Sequence, residues 1–250
     1  MFKDIFVIFL LGHVLGDFYF QSEKMAQEKI KSIRWVFLHC IFYCIGMIVV
    51  MLVMDSAQGK IAAVIAAILH MIIDMAKYVY LLLKQKRRVV TQSLQRNIFV
   101  VDQICHIGCL VAVSYWLAVN DCQMMRKEMI YFFEVIGVEG DKLFAWCLAL
   151  LMIHKPANII IQKLLMQYKP QKVSTEIKKD NNAGRFIGTI ERIIMLIFLA
   201  IEQYSAIGLV LTAKSIARYD RISKESDFAE YYLLGTLIST AIVIICSFII

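Results

Sequence analysis

Seven long apolar runs punctuate the chain, at 5–21, 35–54, 60–83, 98–118, 143–167, 187–211 and 229–250. As helices, such runs are long enough to cross a hydrocarbon core about 30 Å thick. The alternating ten-residue pattern of barrel strands is absent, and two prolines and eleven glycines leave room for long helices. The pattern predicts an all-α fold, a polytopic transmembrane helical bundle of about six to seven spans. Three regions follow. Residues 1–120 carry four helices with a repeated His/Asp device. Residues 121–142 are mixed, with MIYFFEVIGV flanked by charge, and are expected along the membrane interface. Residues 143–250 hold the remaining helices and a basic interfacial cluster. The first run leads into SEKMAQEK instead of a small-residue cleavage site, so it reads as a retained span.

Composition narrows the class further. Sixty per cent of residues are hydrophobic and the mean hydropathy is +0.68, too apolar for a soluble domain of this size. The net charge of +7 comes largely from Lys and Arg in loops, which points to membrane topology and anionic lipid and away from nucleic acid. The loops 22–34, 84–97 and 168–186 are basic, and the short loop 55–59 has no basic residue. The positive-inside rule then places the basic loops in the cytoplasm and the N-terminus outside. Loop 212–228, with Lys214, Arg218, Arg221 and Lys224, conflicts with strict alternation. Run 187–211 is re-entrant, or this loop meets something anionic, or the span count is wrong. Seven cysteines without a CxxC pair, most within apolar runs, read as free thiols.

Candidate chemistry lies inside the first four spans. His13 and Asp17, His70 and Asp74, and Asp102 and His106 are three i, i+4 pairs, each with an imidazole and a carboxylate on one helix face. The order reverses in the fourth span, and so does its direction through the membrane. In all three spans the aspartate therefore lies nearer the cytoplasm. At about 1.5 Å per residue, Asp17 sits about 6 Å and His13 about 12 Å from a boundary near Gln21, and Asp102 and His106 match those depths. His39 joins them from the second span. Four histidines and three aspartates in one membrane layer cost several kcal/mol each unless compensated, and a divalent metal supplies compensation. Histidine nitrogen and carboxylate oxygen suit zinc first, with manganese or iron as alternatives. The metal set is His13, Asp17, His39, His70, Asp74, Asp102 and His106. Surplus donors are left for a second metal, outer Asp–His pairs or a general base, a role open to Asp17, Asp74 or Asp102. Gln21 and Gln103 are placed at the mouth as substrate contacts.

The C-terminal third holds a second polar set. GRFIGTIER brings Arg185, Glu191 and Arg192 into the sixth run, followed by Glu202 and Gln203. Glu191–Arg192 and Glu202 are expected as neutralising partners. Lys214, Ser215 and Arg218 fall on adjacent helical positions and can clasp a phosphate or lipid head group; snorkelling at the interface explains them equally. His154, two residues before Pro156, is expected to pack or to line a pore.

GHVLGDFYFQ, HMIID, VDQICH, GRFIGTIER, AIGLVLTAKSIAR and AEYYLLGTLIS together resemble the DUF3307 family of bacterial integral membrane proteins. The resemblance covers most of the chain and is weakest over 121–180. It implies a multi-pass protein of the bacterial inner membrane and motif positions at His13, Asp17, Gln21, His70, Asp74, Asp102, Gln103 and His106. It implies no reaction. By analogy alone, helix-borne His/Asp sets are also similar to those of intramembrane zinc hydrolases such as alkaline ceramidases. Three functions fit. A metal-dependent hydrolase would act on a lipid or lipid-linked substrate. A cation or proton transporter would need a polar path to the other leaflet. A non-catalytic sensor, scaffold or immunity component would use the polar core for packing.

Overall fold

A computed structural model describes residues 1–86, 91–120, 125–169 and 183–250. Arg87, Arg88, Lys172, Lys178, Lys179 and Cys122, which entered the reading of loop charge and thiols, lie outside the described residues. Within them the chain forms α1 (Phe2–Val14), a π-turn (Leu15–Tyr19), α2 (Glu23–Glu28), α3 (Ile33–Val53), α4 (Ala57–Lys86), α5 (Gln92–Val119), α6 (Lys127–Ile136), α7 (Gly140–Leu164), α8 (Ala183–Ala200), α9 (Tyr204–Ile216), α10 (Tyr219–Lys224) and α11 (Ser226–Ser247), with no strand. The fold is an all-α helical bundle. Helices α3, α4, α5, α7 and α11 are long and apolar enough to cross a membrane. They answer five of the seven expected runs.

The other two runs differ from expectation. Run 5–21 is not one regular helix. After α1 the backbone widens into the π-turn, closed by the Phe20 N–H on the Leu15 carbonyl at 2.8 Å, and Gln21 falls in a bend beyond it. The three-residue stack of His13, Asp17 and Gln21 therefore holds for the first two and fails for Gln21. Run 187–211 is two helices. Glu202 adopts a left-handed backbone with φ 58°, which is uncommon outside glycine, and the polar Glu202–Gln203 step separates α8 from α9. Counting it as one span was wrong, and that removes the premise on which loop 212–228 conflicted with charge alternation.

Large apolar side chains face outward while polar ones face inward. On α3, Phe37, Ile41, Ile45, Ile48 and Leu52 are exposed, whereas His39 on the same helix is fully buried. On α5, Ile104 and Val119 are exposed and Asp102 and His106 buried. A soluble bundle would invert this arrangement. Together with the five apolar helices it marks a multi-pass membrane protein.

The chain divides into two compact units, Met1–Leu148 and Ala149–Ile250. In the first, α3 packs on α1 and α4, and α5 packs on α4 and α1, closing a four-helix ring. Glycines set the tightest contact. Gly12 of α1 and Gly16 of the π-turn form a small-xxx-small face, and Gly46 of α3 lies against it. A Cβ on Gly46 would stand 2.5 Å from the Gly12 carbonyl oxygen and 3.0 Å from the Gly16 nitrogen. These are backbone atoms that cannot swing aside. The close approach holds His13 and Asp17, each one residue past a glycine, against the α3 face that carries His39 and Tyr43. Helix α6 is amphipathic, burying Phe133 while Tyr131, Phe132 and Val135 stay exposed. Gly137 at φ 69° ends it in the left-handed region.

In the second unit α8 packs on α9 and α11, and α10 on α11. Its centre is Arg192, only 1% exposed. The guanidinium donates to the Ile153 carbonyl (2.6 Å), Asn158 Oδ1 (2.7 Å), Thr189 Oγ1 (3.2 Å) and Ser239 Oγ (3.3 Å). Gly188, one turn earlier on α8, leaves room for it; a Cβ there would stand 3.3 Å from Nη1. The expected Glu191–Arg192 pairing is not what forms. Glu191 instead accepts from Lys214 at 2.5 Å.

Candidate metal centre

The three i, i+4 pairs converge with His39 inside the four-helix ring. All seven side chains are at most 7% exposed. The antiparallel run of α4 and α5 makes the reversed order of the third pair meaningful. His13, His70 and His106 come together, with ring centroids 5.9 Å (13–70), 5.3 Å (13–106) and 4.4 Å (70–106) apart. Asp17 sits within the π-turn, a local widening often found at functional sites.

The centre of the cluster is His39. Its Nε2 lies 3.1 Å from His70 Nε2, 3.2 Å from Asp17 Oδ1 and 3.2 Å from Asp74 Oδ2, and His70 Nε2 lies 3.8 Å from Asp74 Oδ2. In a tetrahedral site with bonds of about 2.0–2.1 Å, neighbouring ligand atoms stand about 3.3 Å apart. The three contacts of His39 Nε2 lie near that spacing, and the His70–Asp74 separation is wider. Two overlapping triads of ligand atoms close enough for one ion emerge: Asp17, His39 and His70, and His70, Asp74 and His106. The chemistry of the set also fits a metal. His13 Nε2, Asp74 Oδ1, Asp102 Oδ1 and both ring nitrogens of His106 are buried without a hydrogen-bond partner. Buried polar atoms are seldom left so, and imidazole nitrogen and carboxylate oxygen are donors that zinc, manganese and iron accept.

Compensation does not rest on a metal alone. Lys29 Nζ donates to Asp74 Oδ2 at 3.2 Å, and Lys77 Nζ donates to Asp102 Oδ2 at 2.6 Å while standing 3.9 Å from Asp74 Oδ1. Reading 22–34 only as a basic loop missed Lys29, and hydropathy counts Lys77 as part of an apolar run. Lys77 was legible three residues after Asp74 on the same helix. Lys29 had no signal, since only the return of the chain after α2 brings it to α4. Tyr43 was also missed. It stacks flat on His70 at 3.5 Å and its hydroxyl lies 3.2 Å from His13 Nδ1. Its clue was its place one turn after His39. With neutral imidazoles, three carboxylates and two ammonium groups leave the cluster with one net negative charge.

The expected substrate contacts divide. Gln103 belongs to the cluster: its Nε2 donates to Asp17 Oδ2 at 3.1 Å and Asp102 Oδ2 at 3.4 Å. Gln21 lies half-buried past the π-turn. Lys214, Ser215 and Arg218 belong to the second unit and do not share one helix. Helix α9 ends at Ile216 and Arg218 precedes α10. Lys214 is held by Glu191 and lies over the Tyr232 ring, and Ser215 Oγ donates to the Leu211 carbonyl of its own helix. His154 is exposed on α7, which continues through Pro156.

No curated protein and no solved structure matches the chain. The profile of a family described as a protein of unknown function, DUF3307, matches residues 5–133. That match spans all four ring helices and every member of the His/Asp cluster. The chain belongs to the DUF3307 family.

Proposed function

We propose that this is a multi-pass protein of the bacterial inner membrane whose His/Asp centre holds a divalent metal, zinc before manganese or iron, and hydrolyses a lipid or lipid-linked substrate reached from the cytoplasmic leaflet. One observation carries the reading: two overlapping triads of buried ligand atoms, Asp17, His39 and His70 and then His70, Asp74 and His106, each close enough for one ion, with buried nitrogens and oxygens without partners around them. When bound there, a divalent cation supplies Lewis acidity. Asp102 and His106 stand at the edge of the donor set, 3.8 Å apart, and take the proton released when water adds to the substrate, returning it to the leaving group. Tyr43 and Gln103 orient His13, His70 and Asp17 from outside the ligand set. The basic loops favour a cytoplasmic position for Lys29 and Lys77, and with them the mouth of the site.

Elemental analysis of detergent-purified protein tests this directly. Wild type is expected to carry near-stoichiometric metal. His39→Gln loses it, and Asp102→Asn keeps it but loses hydrolysis. A monodisperse wild type with no metal after reconstitution overturns the reading.

A second reading has its own observation. Lys29 and Lys77 already offset two of three carboxylates, and a single imidazolium would balance the third. A proton or cation carrier therefore also fits. Metal-independent proton uptake into proteoliposomes, abolished by His39→Gln, would favour it.

A further inference from the structure

We propose that Lys29 and Lys77 make the metal-loaded centre a receptor for a phosphate group, so that its substrate is a phosphate ester and not an amide. This rests on the metal reading above. Both ammonium groups are sheltered, with side chains 11% and 19% exposed. Both stand at Asp74, Lys29 on Oδ2 and Lys77 facing Oδ1, and Asp74 belongs to one of the two triads that would hold the ion. Cations beside a dication repel it, so the two lysines that offset carboxylates in the absence of an ion come into conflict with one that is bound.

The charge count resolves the conflict. With neutral imidazoles the cluster without an ion carries one net negative charge, and a divalent ion turns this into one net positive charge. In a membrane interior an unbalanced charge is costly. An amide brings none to balance it, whereas a phosphodiester brings one. Lysine ammonium is a compact charge with three rotatable donors and serves widely as a phosphate contact. Lys29 is positioned for this by a short segment of its own. Ser22 caps α2 through the Met25 N–H, Met25 is buried, and the following turn delivers the ammonium to the cluster.

The test uses full-length protein loaded with zinc, with metal content measured separately for every variant. Binding of inorganic phosphate, dihexanoylphosphatidylglycerol and dihexanoylglycerol is read by the shift in unfolding temperature and by equilibrium titration. Wild type is expected to bind the two phosphate compounds and not dihexanoylglycerol. Lys29→Met weakens both at least tenfold at unchanged metal content, and Lys29→Arg restores binding to within about threefold. Binding of the phospholipid without binding of free phosphate assigns the phosphate to a lipid head group. Binding of both assigns recognition to the phosphate alone. A zinc-loaded wild type that binds neither, or Lys29→Met that binds like wild type, overturns the proposal while leaving the metal reading intact. A wild type that takes up no zinc overturns both.

Discussion

The two units bury charge in opposite ways. In the second, one guanidinium is saturated by neutral acceptors: a carbonyl, an amide and two hydroxyls. Four of its five N–H groups are used, on a residue only 1% exposed. In the first, carboxylates, imidazoles and ammonium groups crowd together, yet buried nitrogens and oxygens stay without partners. A buried charge whose donors are filled is part of a packing core. A cluster in which buried nitrogens and oxygens stay without partners is a candidate receptor for a ligand that would supply them.

Glycine contacts should break this contrast hardest. Gly46→Ala drives a methyl into the backbone of Gly12 and Gly16 and forces α1 from α3. A loss of about 3 kcal/mol is expected in denaturant unfolding, with loss of metal. Gly235→Ala in the second unit meets only the flexible Leu165 Cδ1 at 3.3 Å and should cost under about 1 kcal/mol. Equal effects would show that the ring is not held by this contact.

Next comes the guanidinium. Arg192→Leu strands the Ile153 carbonyl and the Ser239 hydroxyl and should lower stability by about 2 kcal/mol. Metal content should not change. Arg192→Lys cannot reach all four acceptors with one ammonium and should recover only part of the loss. Metal loss in Arg192→Leu at preserved fold would refute the separation of roles.

Chelation sharpens the comparison from the other side. Removing metal from wild type should lower its unfolding temperature, whereas His39→Gln should unfold at the same temperature with or without chelator. A chelator shift that persists in His39→Gln would place the ion elsewhere.

The smallest effect is expected at Tyr43. Tyr43→Phe keeps the stack on His70 and removes only the hydroxyl at His13. Stability should fall by about 1 kcal/mol, and metal affinity, read by competition with a chromogenic chelator, by about tenfold. An unchanged affinity would reduce Tyr43 to packing.

Much of the first unit was legible from one sequence. The i, i+4 pairs put an imidazole and a carboxylate on one face by helical period alone, and the reversed order in α5 cancels the reversed chain direction. Convergence of the three pairs followed from local rules. Helix type and approximate extent were legible for α3, α4, α5, α7 and α11 for the same reason, because long apolar runs leave the backbone no other way to satisfy its polar groups in lipid. The π-turn at Leu15–Tyr19 and the break at Glu202 were not legible, since single-residue changes of backbone angle leave little trace in a hydropathy pattern.

The sequence by itself therefore determined the class of the fold, the burial of polar groups inside an apolar shell and which seven His and Asp residues share one buried cluster. The tertiary structure alone decided the partners. It brought Lys29 back across 45 residues to Asp74, laid Tyr43 on His70, gave Arg192 neutral acceptors instead of Glu191 and turned Lys214 toward Glu191. Helical period places side chains that share a helix, because the backbone itself fixes their spacing. Which charges meet across helices depends on loop closure and interhelical packing, and those interactions join residues that no local rule relates.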